Sequence, residues 1–318
     1  MRKLTNDLSW SVSRAQLFQS CPRAYYYAYY GSWGGWEADA SERTRTLYIL
    51  KNVKPLLMWA GSIVHDIIKD TMEAVARGAA MPNLEELQNQ AVLKLRNGWT
   101  EAVTKAWLQY PKKTNLFELY YGDGKSLPRE TTDKIKERIF TCLDSFVSSP
   151  VVRDILATPY INWKPVDTLD TFMVNDLKVW CAIDFAYTDN EGQLHIIDWK
   201  TGTENRATLR QQLGCYALFA MEKWLVPLER LQLKGVFLLD GGRPSPYPVE
   251  PALLVSVKDQ ILISAQAMKQ KLRDPENNIA EEDDFPCQPN EYNCRQCNYR
   301  QICPQMAGSS NDLPEING

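Results

Sequence analysis

Two strand-like runs joined by a turn, then a helix, then another strand, narrow the folds open to this chain more than any other stretch. The first run is Cys-Ala-Ile-Asp-Phe-Ala-Tyr-Thr from Cys181. The turn Asp189-Asn190-Glu191-Gly192 follows, and the second run, Gln-Leu-His-Ile-Ile-Asp-Trp-Lys, ends at Lys200. Asn and Gly suit a hairpin turn, and the Ile, Trp and Tyr residues around them suit strands. From about Arg206 to Trp224, Leu209, Leu213, Ala217 and Ala220 recur on one helical stripe, and Lys234 to Leu239 reads as a further strand. The order from about 170 to 240 is therefore strand, strand, strand, helix, strand, which makes the chain α/β.

The same stretch carries charges in an informative order. Asp184 sits in the first run, and Asp198 and Lys200 close the second. An antiparallel hairpin brings all three to one spot. Asp198 and Lys200 are two apart, so both leave the same face of their strand. Two carboxylates beside an ammonium make a hard-cation site with a charge next to it, equipment suited to cutting a phosphodiester bond. Asp-x-Lys at a strand end also arises by chance, usually as a solvated pair. Two further features set that reading aside. Gln212 and Tyr216, four apart on the helix, share a face. Upstream, Trp59 to His65 opens a helical pattern running to about Val75, with His65 in a Gly-x-x-x-His spacing. A lone histidine on an apolar helix is more often a core residue. The order His, Asp, Asp-x-Lys, Gln-x-x-x-Tyr favours a site instead.

Eight cysteines form a second pattern. Cys142, Cys181 and Cys215 lie in apolar runs and are expected in the core. Cys294-x-x-Cys297-x5-Cys303-Pro304 lies in a polar, turn-rich tail and looks like a set of metal ligands, one short of four. Cys21, at a helix boundary beside Pro22, is the best fourth. Cys287 is a substitute, although Pro286 and Pro289 make its surroundings read as a plain loop. Zinc held by four cysteines is one occupant of such a site, but zinc ribbons generally use two Cys-x-x-Cys knuckles and one is present here.

Taken together, these residues resemble a RecB-family nuclease of the PD-(D/E)XK superfamily, matching at His65, Asp184, Asp198 with Lys200, and Gln212 with Tyr216. There is one departure: the family usually has Gly shortly before the first Asp, where this chain has Cys181-Ala182-Ile183. The resemblance implies a restriction-endonuclease-like core, a mixed central sheet flanked by helices. It implies a Mg²⁺- or Mn²⁺-dependent deoxyribonuclease acting on single-stranded DNA ends and leaving 5′-phosphates. His65, Asp184 and Asp198 would hold the ion with the Trp199 backbone carbonyl, and Asp184, Asp198, Lys200, Gln212 and Tyr216 would be the catalytic set. By the same resemblance, one N-terminal and three C-terminal cysteines hold a 4Fe-4S cluster, as in CRISPR-associated exonucleases and the AddB subunit of helicase–nucleases. Here those are Cys21, Cys294, Cys297 and Cys303, with Zn²⁺ the alternative. Such a cluster ties the two ends of the chain together. DNA repair, CRISPR adaptation and antiviral defence all use this scaffold, with a helicase, an integrase or a defence-complex protein as partner. A cluster-stabilised DNA-binding subunit with little cleavage of its own is the rival, and the intact set of site residues argues against it. An enzyme acting on another phosphate ester, such as a nucleotide, is a third reading.

With 318 residues, 44% apolar and 11% aromatic, the chain can bury a full core. A net charge of −3 does not advertise a nucleic-acid binder, but local distribution outweighs the sum. Basic and aromatic residues interleave from Arg43 to Lys54 and from Lys105 to Lys125. Arg23 and Arg300 are candidate phosphate contacts. The Tyr/Trp-rich stretch at 25–36 either stacks bases or packs on the core, and packing is the better reading. The expected organisation is a mainly helical portion at 1–160, a nuclease core at 161–272, an acidic linker and cysteine tail at 273–306, and a disordered tail at 307–318. These form one compact unit tied by the cluster. Helices are expected at about Ser13–Tyr30, 84–109, 129–147 and Pro251–Leu272, with an exposed loop at 110–128. No signal peptide and no run of membrane-spanning length is visible, so a cytoplasmic protein without a membrane partner is expected. No Gly-x4-Gly-Lys-Ser/Thr phosphate loop is present, so any unwinding belongs to a partner.

Overall fold

A computed structural model describes residues 5–165, 167–203 and 206–306, with Arg206 described in its backbone alone. The tail expected to be disordered, 307–318, lies outside the described residues. The chain clusters into two units, each drawn from separated stretches. The first takes Met1–Trp59, Arg96–Thr132 and Ile263–Gly318, and the second takes Ala60–Leu95 and Asp133–Leu262.

The second unit contains a hairpin of β1 (Asp170–Val174) and β2 (Leu177–Cys181), and a four-stranded sheet of β3 (Phe185–Thr188), β4 (Leu194–Lys200), β5 (Leu231–Phe237) and β6 (Arg243–Tyr247). The sheet order is β3-β4-β5-β6. β3 and β6 pair antiparallel with their neighbours, whereas β4 and β5 are parallel. Parallel neighbours need a crossover connection, and helix α2 (Arg206–Lys223) supplies it. Helix α1 (Leu56–Ala76) carries His65 and lies in this unit from Ala60 onward. The expected turn forms as read: Asp189 Oδ1 accepts from the backbone N–H groups of Glu191 and Gln193, both at 2.9 Å. Trp199 is buried on the opposite sheet face from Asp198 and packs edge-on against Phe146 from the helix Arg129–Ser148, ring centroids 5.5 Å apart.

Two strand readings change. Four strands precede α2 rather than three, because Asn175, at a φ of 52°, turns the chain inside what reads as one apolar run. A further strand, β6, carries Pro244 and Pro246; proline cannot donate to a ladder and is confined to positions such as a sheet edge, where β6 lies.

In the first unit the expected helix from Ser13 to Tyr30 is interrupted. It runs Val12–Ser20, breaks at Cys21 in extended conformation (φ −163°), then continues as Pro22–Tyr26 and a π-helical turn, Tyr27–Gly31. The residue before a proline is driven out of the helical region, which accounts for the break. Tyr25 and Tyr27 are buried, stacking against Phe285 and packing on Tyr299. The aromatic stretch is thus core, as the packing reading held.

Residues 110–128 are not simply an exposed loop. Asn115–Leu116 pairs in parallel with Val53–Lys54, the helical turn Phe117–Tyr120 follows, and residues 115–119 are buried. From that turn the buried Glu118 accepts the Leu56 backbone N–H at 3.0–3.1 Å, capping α1 at the first-unit end. Arg23 and Arg300 both turn into the protein. Arg23 donates to the Phe285 carbonyl at 2.6 Å and pairs with Glu282 at 2.8 Å. Arg300 is buried against Tyr121, its guanidinium carbon 3.9 Å from the ring centroid. Neither is placed as a phosphate contact.

Candidate active site and cysteine cavity

Asp198 and Lys200, both on β4, project from one face, and Lys200 Nζ lies 2.6 Å from Asp198 Oδ2 as an ion pair without hydrogen-bond alignment. The same Nζ donates to Gln212 Oε1 at 2.9 Å. Gln212 Nε2 donates to the Tyr216 hydroxyl at 2.6 Å, and that hydroxyl donates to Asp198 Oδ1 at 3.3 Å. The four side chains close a ring in which each hydrogen bond has a defined direction. The i, i+4 spacing on α2 makes this geometry available, because it stacks Gln212 and Tyr216 over the strand. The close seat of α2 depends on Gly235, the register partner of Asp198 on β5: a Cβ there would lie 2.6 Å from Leu209 Cδ2.

Asp184 precedes β3, one residue before the last ladder pair, Phe185 with Ile197. Beyond that pair, its carboxylate takes over the role of a backbone carbonyl and accepts the Trp199 N–H at 2.8 Å. The Trp199 main chain thus reaches the site through its N–H. His65 Nδ1 lies 3.7 Å from Asp184 Oδ1. Its approach also requires a glycine. A Cβ on Gly61, one turn earlier on α1, would sit 2.8 Å from Thr201 Oγ1, immediately past Lys200. The Gly-x-x-x-His spacing is therefore a close-approach point followed, one turn on, by the imidazole.

Burial sets the electrostatics. The Asp198 side chain has no solvent exposure, whereas His65 and Lys200 are about one-third exposed, so a ligand reaches the site on their side. Burial pushes the Asp184 carboxyl up to about 7; the opposing charge of His65 pulls it down, and that of Asp198 adds to the rise. Asp198 is also raised by burial, opposed chiefly by Lys200. Tyr216 is held well above its ordinary value by burial and then by Asp198, which keeps it a neutral donor. Two adjacent carboxylates that resist ionisation, one retaining an unaligned oxygen, form a donor set whose cost falls when a divalent cation arrives. The residues fit such an ion. Among the described residues, no three His, Cys, Asp or Glu side chains are gathered to grip one ion as they stand.

All the sequence-predicted residues of this site therefore meet in the second unit. The cysteine set lies in the first. Cys21, Cys294, Cys297 and Cys303 line one cavity of about 550 Å³, and Cys287 lines it as well. Its Sγ is 3.8 Å from that of Cys303. Cys287 lies in an irregular segment, as the prolines around it suggest, and adds a fifth thiol to the lining. Cys142, Cys181 and Cys215 are buried, as expected of core residues. Lys51, Lys54 and Gln288 line the cavity as well, and among the described residues no three of the thiols are gathered to grip one ion as they stand.

Over residues 9–304 the sequence matches the PD-(D/E)XK nuclease superfamily. The chain belongs to that superfamily, and its mixed α/β architecture agrees with the restriction-endonuclease-like fold. Superfamily members are generally metal-dependent nucleases that work with Mg²⁺ or Mn²⁺, so the class assigned here is nuclease. No curated protein matches the sequence. Among the described residues no helix is long and apolar enough to cross a membrane.

Proposed function

We propose that this chain is a RecB-like, Mg²⁺- or Mn²⁺-dependent deoxyribonuclease that hydrolyses phosphodiester bonds at single-stranded DNA ends. The observation that carries the proposal is the closed ring of Asp198, Lys200, Gln212 and Tyr216 beside Asp184 and His65. His65, Asp184, Asp198 and the Trp199 carbonyl would hold the ion. When bound, the ion supplies Lewis acidity for the scissile phosphate and a more acidic water. The remaining work belongs to the protein. Asp198 and Gln212 hold the Lys200 ammonium at the open side of the site, where it offsets charge developing on the phosphate. Tyr216 fixes the Asp198 carboxylate and the Gln212 amide together, so Lys200 need not reorganise as the reaction proceeds. Asp184 is oriented by the Trp199 N–H and by His65.

The first unit would hold a 4Fe-4S cluster on Cys21, Cys294, Cys297 and Cys303, with Zn²⁺ the alternative, in a structural role. DNA repair, CRISPR adaptation and antiviral defence are the settings, with a helicase, integrase or defence-complex partner. Incubation with end-labelled single- and double-stranded DNA, in Mn²⁺ or in EDTA, tests the reading. Metal-dependent shortening of single strands is expected, and Lys200→Ala should bind DNA but leave it intact. Wild-type cutting by Lys200→Ala would remove Lys200 from catalysis. DNA binding without any cleavage by the wild-type chain would favour a DNA-binding subunit.

A further inference from the structure

We propose that Arg300 is the charge partner of the cysteine site: its buried guanidinium lies beside the thiol-lined cavity and compensates an anionic metal–thiolate group held there. The inference rests on the reading that Cys21, Cys294, Cys297 and Cys303 bind metal, and it adds a positioning residue that the motif does not contain.

Arg300 is only 7% exposed. Its backbone N–H donates to the Cys297 carbonyl at 3.2 Å, which fixes it one turn from a thiol, and Arg300 lines the same cavity as the five cysteines. Nη1 donates to the Arg295 carbonyl at 3.0 Å, but Nε and Nη2 are buried with no acceptor. The guanidinium carbon lies 3.9 Å from the Tyr121 ring centroid and 5.1 Å from that of Phe117, and the Tyr121 hydroxyl is anchored to the Asn298 carbonyl at 2.6 Å, so the group is held in place. A permanently charged side chain, buried with two donors unused, is costly unless negative charge lies close by. Neutral thiols do not supply it. Four thiolates around a 4Fe-4S core of charge +2 carry a net −2, and four around Zn²⁺ carry the same. The charge of such a group would act on the guanidinium through the cavity wall, where the low dielectric strengthens the attraction. A cation there favours binding of the anionic group, and for iron–sulfur it favours the reduced, more negative form.

The test compares wild type, Arg300→Met and Arg300→Lys after anaerobic reconstitution. It measures iron, zinc and acid-labile sulfide per chain, the rate of metal release to a chelator and, for iron, the midpoint potential. Arg300→Met is expected to release metal at least tenfold faster and, with iron, to show a lower potential. Arg300→Lys, which keeps the charge, is expected to stay near wild type. If Arg300→Met does not fold, Arg300→Gln, neutral but still a donor, takes its place. Equal content, release rate and potential in the neutral variant and the wild type would overturn the proposal while leaving the cysteine reading standing. A wild-type chain that takes up neither metal would overturn both.

Discussion

Replacing Asp184 by Asn should stabilise this protein while abolishing its activity. The Asp184 carboxyl rises from 3.8 in the open chain to about 7 in the fold. Between those values the native state binds the proton that the unfolded chain has released. The stability linked to this group is therefore greatest at low pH and is lost as pH rises from about 4 to about 7. At about 1.4 kcal/mol per pK unit, ionised Asp184 destabilises the metal-free fold by ~4 kcal/mol at pH 8 and ~2 kcal/mol at pH 5. Its side chain is 14% exposed, so little of this is lost to solvent screening. Asparagine keeps the size and can still accept the Trp199 N–H, but it never ionises. In EDTA at pH 8, Asp184→Asn should melt higher than wild type by roughly 6 °C for a chain of this length. The gap should narrow towards pH 5. Mg²⁺ should raise the wild-type midpoint at pH 8 and leave the variant little changed. The assay is a thermal melt at two pH values with and without metal, beside cleavage of labelled DNA. A variant no more stable than wild type at pH 8 in EDTA, or a gap that does not shrink with acid, would refute the burial argument.

Other outcomes follow from the same geometry. Tyr216→Phe removes a hydrogen bond to a carboxylate, worth about 1.5–3 kcal/mol, so kcat should fall 10- to 100-fold if that energy serves orientation. Its pH–rate profile should move upward, because the lost bond favours ionised Asp198; an unmoved profile would argue against that role. Gly61→Ala gains helix propensity of about 1 kcal/mol but meets Thr201 Oγ1. Denaturant melts should show that gain only in a Thr201→Ala background, and an equal gain in both backgrounds would remove the close-approach argument. Cys21→Ser should lower bound metal and the melting temperature of the metal-loaded protein; unchanged metal content would take Cys21 out of the ligand set.

The candidate site was legible in the sequence because its residues stand at fixed local spacings. Two residues along a strand put Asp198 and Lys200 on one face, four along a helix put Gln212 over Tyr216, and the Asp189 turn folds Asp184 back beside them. Periodicity misses changes of direction that leave composition unaltered, such as the Asn175 turn within an apolar run. It also misreads β6, whose prolines argue against a strand until its edge position is known. Long-range partners are invisible to it. Nothing in the spacing reveals that Arg23 is committed to Glu282 or that residues 115–119 are buried. Arg300 was singled out for its charge, and the fold gives that charge a setting inside the protein instead of against a phosphate.

Arg23 and the Phe285 carbonyl it holds are separated by 262 residues, and Tyr27 reaches Glu282 across 255. As the polypeptide leaves the ribosome, the tyrosine-rich stretch must wait with its apolar surface uncovered until its partners, more than 250 residues on, have been translated. The intervening stretch, Asp133–Leu262, holds the whole four-stranded sheet and all five side chains read as catalytic, and it can begin folding first. The first unit therefore closes later than the second, and its tyrosines stay open to other chains in the interval.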